Sequence, residues 1–280
     1  MAVIAHGLEG SSGRAYVRGM ARELARRGWA VCAWNLRGCS GEPNRLLRAY
    51  HSGDTADLGA VVAHVLGRAR RVAVVGFSLG GNITLKWLGD RGAGVDPRVV
   101  AGAGVSVPVD LAGSSETMEA WTRRVYMLRF MRTLSAKATE KAGRFDDAPD
   151  PSGFARMRTF RQFDGAFTAP VHGFASADDY WRRASSLPAL PTIRVPTLLV
   201  NALDDPFLSG SCYPRAEADV NECLTLLTPR HGGHVGFVRS GGVYWSEEAV
   251  GRFLDAARAL DAGAPPFRAA GAPPRRPPPG

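Results

Sequence analysis

The sequence has little that would suit an oxidising compartment or the interior of a bilayer. It holds four cysteines, Cys32, Cys39, Cys212 and Cys223, and no two of them form a C-x-x-C pair. Cys32 and Cys223 fall in expected strands, where a thiol packs as a small apolar group. Such usage fits a reducing compartment and excludes a disulfide scaffold. Residues Met1 to Gly10 have neither a basic flank nor a long apolar stretch and do not read as a signal peptide. No apolar run approaches the roughly 18 residues of a membrane helix. The expected location is the cytoplasm. The six histidines show no H-E-x-x-H or other ligand spacing, so no metal is expected. Gly102-Ala103-Gly104 lacks the third glycine of a dinucleotide loop and lies inside an expected strand. A G-x-x-x-x-G-K-S/T phosphate loop is absent too, and no organic cofactor is expected.

Acids are the minority charge. Lys and Arg number 35 against 26 Asp and Glu, for a net charge of +9. Arginine spread over solvated helix faces accounts for this most simply. The sharper reading is attraction to an anionic surface, such as peripheral contact with lipid head groups. No nucleic-acid motif is present, so a nucleic-acid partner is not expected. Oligomeric state is not legible. The tail, residues 263–280, holds seven prolines and three arginines and no acid, and is expected to be disordered.

What the chain does contain centres on Val72 to Asn82, V-A-V-V-G-F-S-L-G-G-N. Val72 to Val75 is short and β-branched, as in a buried parallel strand. Gly76 and Gly80 flank Ser78 where the strand must turn sharply into a helix, and side chains there would collide across the turn. Such a turn lifts the Ser78 hydroxyl above the sheet at the positive end of the next helix.

The rest of residues 1–262 alternates strand and helix, as in an α/β parallel sheet flanked by helices. Strands are expected at Ala2–Ala5, Trp29–Asn35, Val72–Phe77, Val99–Val105, Thr197–Ala202 and Cys223–Leu227. Helices are expected at Ser12–Arg27, ended by Gly28 as a left-handed cap, at Asp54–Arg68, after Ser78, and at Trp245–Ala262. Asp54 and Asp57 suit the positive N-terminus of their helix. From about 108 to 195 the alternation stops. A basic, aromatic-bearing helical segment, Met118–Gly143, and a short helix at Asp178–Ser185 read as a cap over the strand ends.

A serine hydroxyl needs a base within reach, and the base needs an orienting carboxylate. Loops leaving strand C-termini carry these types as Ser78, then Asp204-Asp205, then His234. That chain order is the one expected of the α/β-hydrolase fold. Asp205 is favoured over Asp204 as the acid, because Asp205-Pro206-Phe207-Leu208 is an acid followed by a turn and an apolar pair. His234 is favoured over His231, since Gly232-Gly233 gives a flexible approach. A tetrahedral intermediate needs two amide donors. The backbone N–H of Leu79 is one, and that of Leu8, in the loop after the first strand, is assigned as the other. His6 is expected to fix that loop.

These segments together resemble a known family. His6-Gly7-Leu8-Glu9-Gly10, Asn35-Leu36-Arg37-Gly38-Cys39-Ser40-Gly41, Tyr50-His51-Ser52-Gly53, Gly76 to Asn82, Asn201 to Pro206 and Gly232 to Phe237 look like the YheT-like esterases, family four of the alpha/beta hydrolases. Phe163-Asp164 and Trp181 to Ser186 in the expected cap look like that family as well. The resemblance implies a carboxylic ester hydrolase working through Ser78, Asp205 and His234 by an acyl-enzyme, on short-chain, lipid-like or acylglycerol esters. Two alternatives stand beside it. One is acyl transfer to an alcohol by the same acyl-enzyme, and the other is a non-catalytic protein that binds lipid or a partner. The family carries two further strands before the His-Gly loop. Their absence here leads to the expectation that the native protein starts upstream, where an anchor could lie, and that Trp29–Asn35 is an open sheet edge.

Overall fold

A computed structural model describes residues 1–260, and the expected disordered tail and the last two residues of the expected closing helix lie outside them. The elements alternate as the apolar pattern requires. Strand β1 (Ala2–Ala5), helix α1 (Ala15–Arg26), β2 (Val31–Trp34), α2 (Thr55–Leu66), β3 (Val72–Phe77), α3 (Leu79–Arg91) and β4 (Val99–Val105) follow in order. A helical insertion comes next, with α4 (Leu111–Met118), α5 (Arg124–Ala142), α6 (Phe160–Phe163), a π-helical turn (Asp164–Thr168), α7 (Ala169–His172) and α8 (Ala177–Ala184). The sheet resumes with β5 (Thr197–Val200), α9 (Arg215–Val220), β6 (Leu224–Leu227) and α10 (Trp245–Leu260).

The six strands form one sheet in the order β2-β1-β3-β4-β5-β6, and every pairing is parallel. Central β1, β3 and β4 are buried along their whole length, which is why they read as continuous apolar runs. Two apolar layers sandwich the sheet. One carries Leu58, Val62 and Ile83 from α2 and α3, and the other Met20, Leu24, Val250 and Leu254 from α1 and α10. As expected, β2 lies at the edge with a single neighbour, and its residues are only half buried.

Element ends follow local hydrogen bonding. Gly28 (φ 78°) does end α1 in the left-handed region. Its amide reaches Ala25 O at 3.0 Å and the next amide, Trp29, reaches Leu24 O at 3.0 Å. Trp29 is thus committed to the helix, so β2 starts at Val31 rather than at Trp29. Asp54 precedes α2 but makes no capping bond. Its carboxylate instead takes both contacts from Arg48 Nη2, at 3.0 Å. The expected helix Met118–Gly143 is interrupted. Extended backbone at Ala120 and a 3₁₀ turn, Trp121–Arg123, separate α4 from α5.

Candidate active site

The turn after β3 is steric in origin. A Cβ on Gly76 would sit 2.2 Å from Gly80 O, and one on Gly80 would sit 2.4 Å from His6 O. Between them Ser78 takes φ 51°, ψ −120°, a conformation that L residues rarely adopt. Its amide is held by Val105 O at 2.9 Å on the neighbouring strand.

Three loops at the C-terminal ends of the strands bring Ser78, His234 and Asp205 together. His234 Nε2 lies 2.9 Å from Ser78 Oγ. Its Nδ1 lies 3.0 and 2.9 Å from the two oxygens of Asp205. A carboxylate can only accept, so Nδ1 carries the proton and Nε2 accepts from the serine hydroxyl. The Asp205 side chain is fully buried and that of His234 is 13% exposed. Phe207 donates its amide to Asp205 Oδ1 at 3.0 Å and stacks its ring on His234 at 4.2 Å.

Asp204 points elsewhere. Its Oδ1 accepts the amides of Gly232 and Gly233 at 2.9 and 2.8 Å, which shapes the loop that carries His234. Those amides, Gly233 first, hold its carboxyl below the usual range. His231 is on the surface, 88% exposed, near Asp204. A further residue, Ser106, escaped the sequence reading. It is buried at φ 54°, and its Oγ accepts the amide of Val235 at 3.0 Å, next to His234.

The loop after β1 has its amides sorted. Gly7 donates to Tyr16 Oη at 3.0 Å, Glu9 to Tyr50 Oη at 2.9 Å, and Gly10 to Gly7 O at 3.0 Å. The amides of Leu8 and Leu79 donate to no acceptor among the described residues. His6 fixes the base of this loop. It is fully buried, its Nε2 accepts the Leu36 amide at 3.1 Å, and Nδ1–H donates to Gly7 O at 2.8 Å. Burial holds its pKa below the ordinary value, so the ring stays neutral at pH 7. Glu9, at φ 52°, is bound by Tyr50 Oη at 2.6 Å and by Lys137 Nζ of α5 at 3.0 Å. The insertion is therefore tied directly to the loop that presents the Leu8 amide.

Ser78 and His234 open into a cavity of about 720 Å³ between the sheet edge and the insertion. Met118, Phe130, Leu134, Phe163 and Phe167 line much of it. Its wall also carries buried titratable groups. Burial raises Asp164 to about 6, against hydrogen bonds from Thr168 Oγ1 at 2.7 Å and Trp181 Nε1 at 2.8 Å. Burial likewise lowers His51 and His172 to about 4, so both are neutral at pH 7. Among the described residues, no group of three or more His, Cys, Asp or Glu could hold a metal ion. No helix there is long and apolar enough to cross a membrane.

A family profile described as the alpha/beta hydrolase fold matches residues 3–239. The Escherichia coli (strain K12) protein named "Putative esterase YheT" is 39% identical over 84% of this chain and 70% of its own length. This chain is a YheT-like member of the alpha/beta hydrolase family. A monoacylglycerol lipase of Saccharomyces cerevisiae is 30% identical over 91% of this YheT-like chain, which spans 58% of that lipase. The human phospholipase ABHD3 is 29% identical over 83% of the chain, which spans 57% of that protein. A solved esterase of Pyrococcus furiosus superposes with a TM-score of 0.60 at 18% identity, covering 91% of this chain and 81% of its own. That likeness speaks for the fold alone.

Proposed function

We propose that the chain is a serine carboxylic ester hydrolase. The observation that carries this is the unbroken contact from Ser78 Oγ to His234 Nε2 and from Nδ1 to the buried Asp205. In this reading Ser78 Oγ attacks the ester carbonyl carbon as its proton passes to His234 Nε2. Asp205 holds the ring in that tautomer and stabilises the imidazolium. The oxyanion is received by the amides of Leu8 and Leu79, neither of which has an acceptor among the described residues. His234 returns the proton to the departing alcohol. Water, deprotonated by the same nitrogen, then cleaves the acyl-enzyme.

The apolar walls favour an ester with an aliphatic acyl chain, and relatives with lipase and phospholipase names agree with lipid-like or acylglycerol substrates. Ser78→Ala is expected to abolish hydrolysis of p-nitrophenyl butyrate and labelling by a fluorophosphonate probe. Unchanged turnover in that variant would end the assignment. A chain-length series of p-nitrophenyl esters then reads out the acyl site.

A further inference from the structure

The outer face of α5 takes no part in the chemistry above, and its composition is unusual for a solvated helix. Met127, Met131 and Ala138 turn inward and are buried. The opposite side exposes large apolar groups, with Val125 at 78% and Leu128 at 46%, and Trp121 just before the helix at 85%. Val125, Leu128, Arg129 and Arg132 follow helical spacing and lie along one side of α5. Arg124, Arg129 and Arg132 are exposed. Some arginines elsewhere sit beside an acid on their own helix. Arg183 pairs with Asp179 in α8 at 3.3 Å, and Arg258 with Asp255 in α10 at 3.2 Å. On α5 they are not matched. No acid occurs between Glu119 and Glu140. The guanidinium groups of Arg124, Arg129 and Arg132 meet no carboxylate among the described residues.

The patch is also continuous with the site. Tyr126 packs its ring on Phe207 at 5.0 Å, and Phe207 stacks on His234. We propose that this face of α5 docks on an anionic lipid surface. Trp121, Val125 and Leu128 enter the head-group boundary, where an amphipathic indole is favoured. Arg124, Arg129 and Arg132 face the lipid phosphates, which complement their unmatched charge. Docking in this orientation holds the Phe207 side of the cavity close to the lipid. The proposal concerns adsorption and does not depend on the hydrolytic reading.

Adsorption is tested on the full chain carrying Ser78→Ala, so that lipid is not consumed. The protein is floated with phosphatidylcholine vesicles, with and without phosphatidylglycerol. Flotation is expected only with phosphatidylglycerol present, and high salt releases the protein. Replacing Arg124, Arg129 and Arg132 together by Gln is expected to weaken binding about fivefold per residue, roughly a hundredfold in all. Trp121→Ala weakens it further. In the Ser78 background the same substitutions leave hydrolysis of water-soluble p-nitrophenyl butyrate at the parent rate, which checks the fold. Absence of flotation, equal flotation with phosphatidylcholine alone, or undiminished binding by the triple variant would each overturn the proposal. The last outcome would place the attraction on another basic part of the chain.

Discussion

Asparagine at position 205 separates the two neighbouring acids. The oxygens of Asp205 lie 2.9 and 3.0 Å from His234 Nδ1, and Oδ1 also accepts the Phe207 amide. Asparagine has the same shape. Its oxygen would keep the Phe207 amide, which leaves its NH₂ facing Nδ1. A donor there drives the ring proton from Nδ1 to Nε2. Nε2 would then donate toward Ser78 Oγ and could no longer take its proton. In a triad this change lowers kcat about ten-thousandfold, about 5.4 kcal/mol of transition-state stabilisation. Asp204→Asn is a different perturbation. It keeps an oxygen for the Gly232 and Gly233 amides on a side chain that is 42% exposed. Its rate is expected to stay within about threefold of the parent, as for a half-exposed group with a conserved acceptor. The assay is steady-state hydrolysis of p-nitrophenyl butyrate, with a urea unfolding curve for each variant. A folded Asp205→Asn that retains about a tenth of the parent rate refutes the reasoning. So does an Asp204→Asn that loses as much as Asp205→Asn.

Two further outcomes follow from packing and burial. Gly80→Ala places a Cβ 2.4 Å from His6 O and 2.8 Å from Ala5 O, both backbone. It should lower stability by about 1–3 kcal/mol and reduce kcat by shifting the loop after β1, and an unshifted Tm contradicts this. Asp164 has a folded pKa of about 6, raised by burial from 3.8. Folding therefore binds a proton between those values. The Asp164 contribution to stability is fully present below about pH 4 and is lost as pH rises through 6, by about 3 kcal/mol. Relative to Asp164→Asn, the parent should lose stability across that window in urea titrations, and a pH-independent difference counts against it.

The turn at Ser78 was legible because much of its cause is local. Gly76, Ser78 and Gly80 lie within five residues, and the clash that demands glycine at 76 arises against Gly80 itself, although the one at 80 arises against His6, just after β1. Buried β3 and β4 were legible for a similar reason, since burial on both faces leaves an uninterrupted apolar run. The break before α5 was missed because apolar residues continue straight through Ala120 and Trp121 while the backbone turns. Ser106 was not legible at all. It acts on Val235, 129 residues away, and nothing near it in sequence signals that contact. Tyr50 likewise serves Glu9 across 41 residues. The resemblance covered the Tyr50 and Glu9 segments without giving this role, and it named no segment around Ser106. The sequence also could not assign Asp54, whose position at the start of α2 suggests capping, because its partner Arg48 lies in an irregular loop.

The contact between Lys137 and Glu9 has a mechanical consequence. Lys137 belongs to the helical insertion, while Glu9 sits beside the Leu8 amide on the loop after β1 that lines the cavity. A displacement of α5 would carry Lys137 away and leave Glu9 to Tyr50 and Arg14. The left-handed residue would then lose its tie to the insertion. The pair thus couples the position of the helical insertion to the backbone of the loop that carries the Leu8 amide, so a change in one is felt by the other.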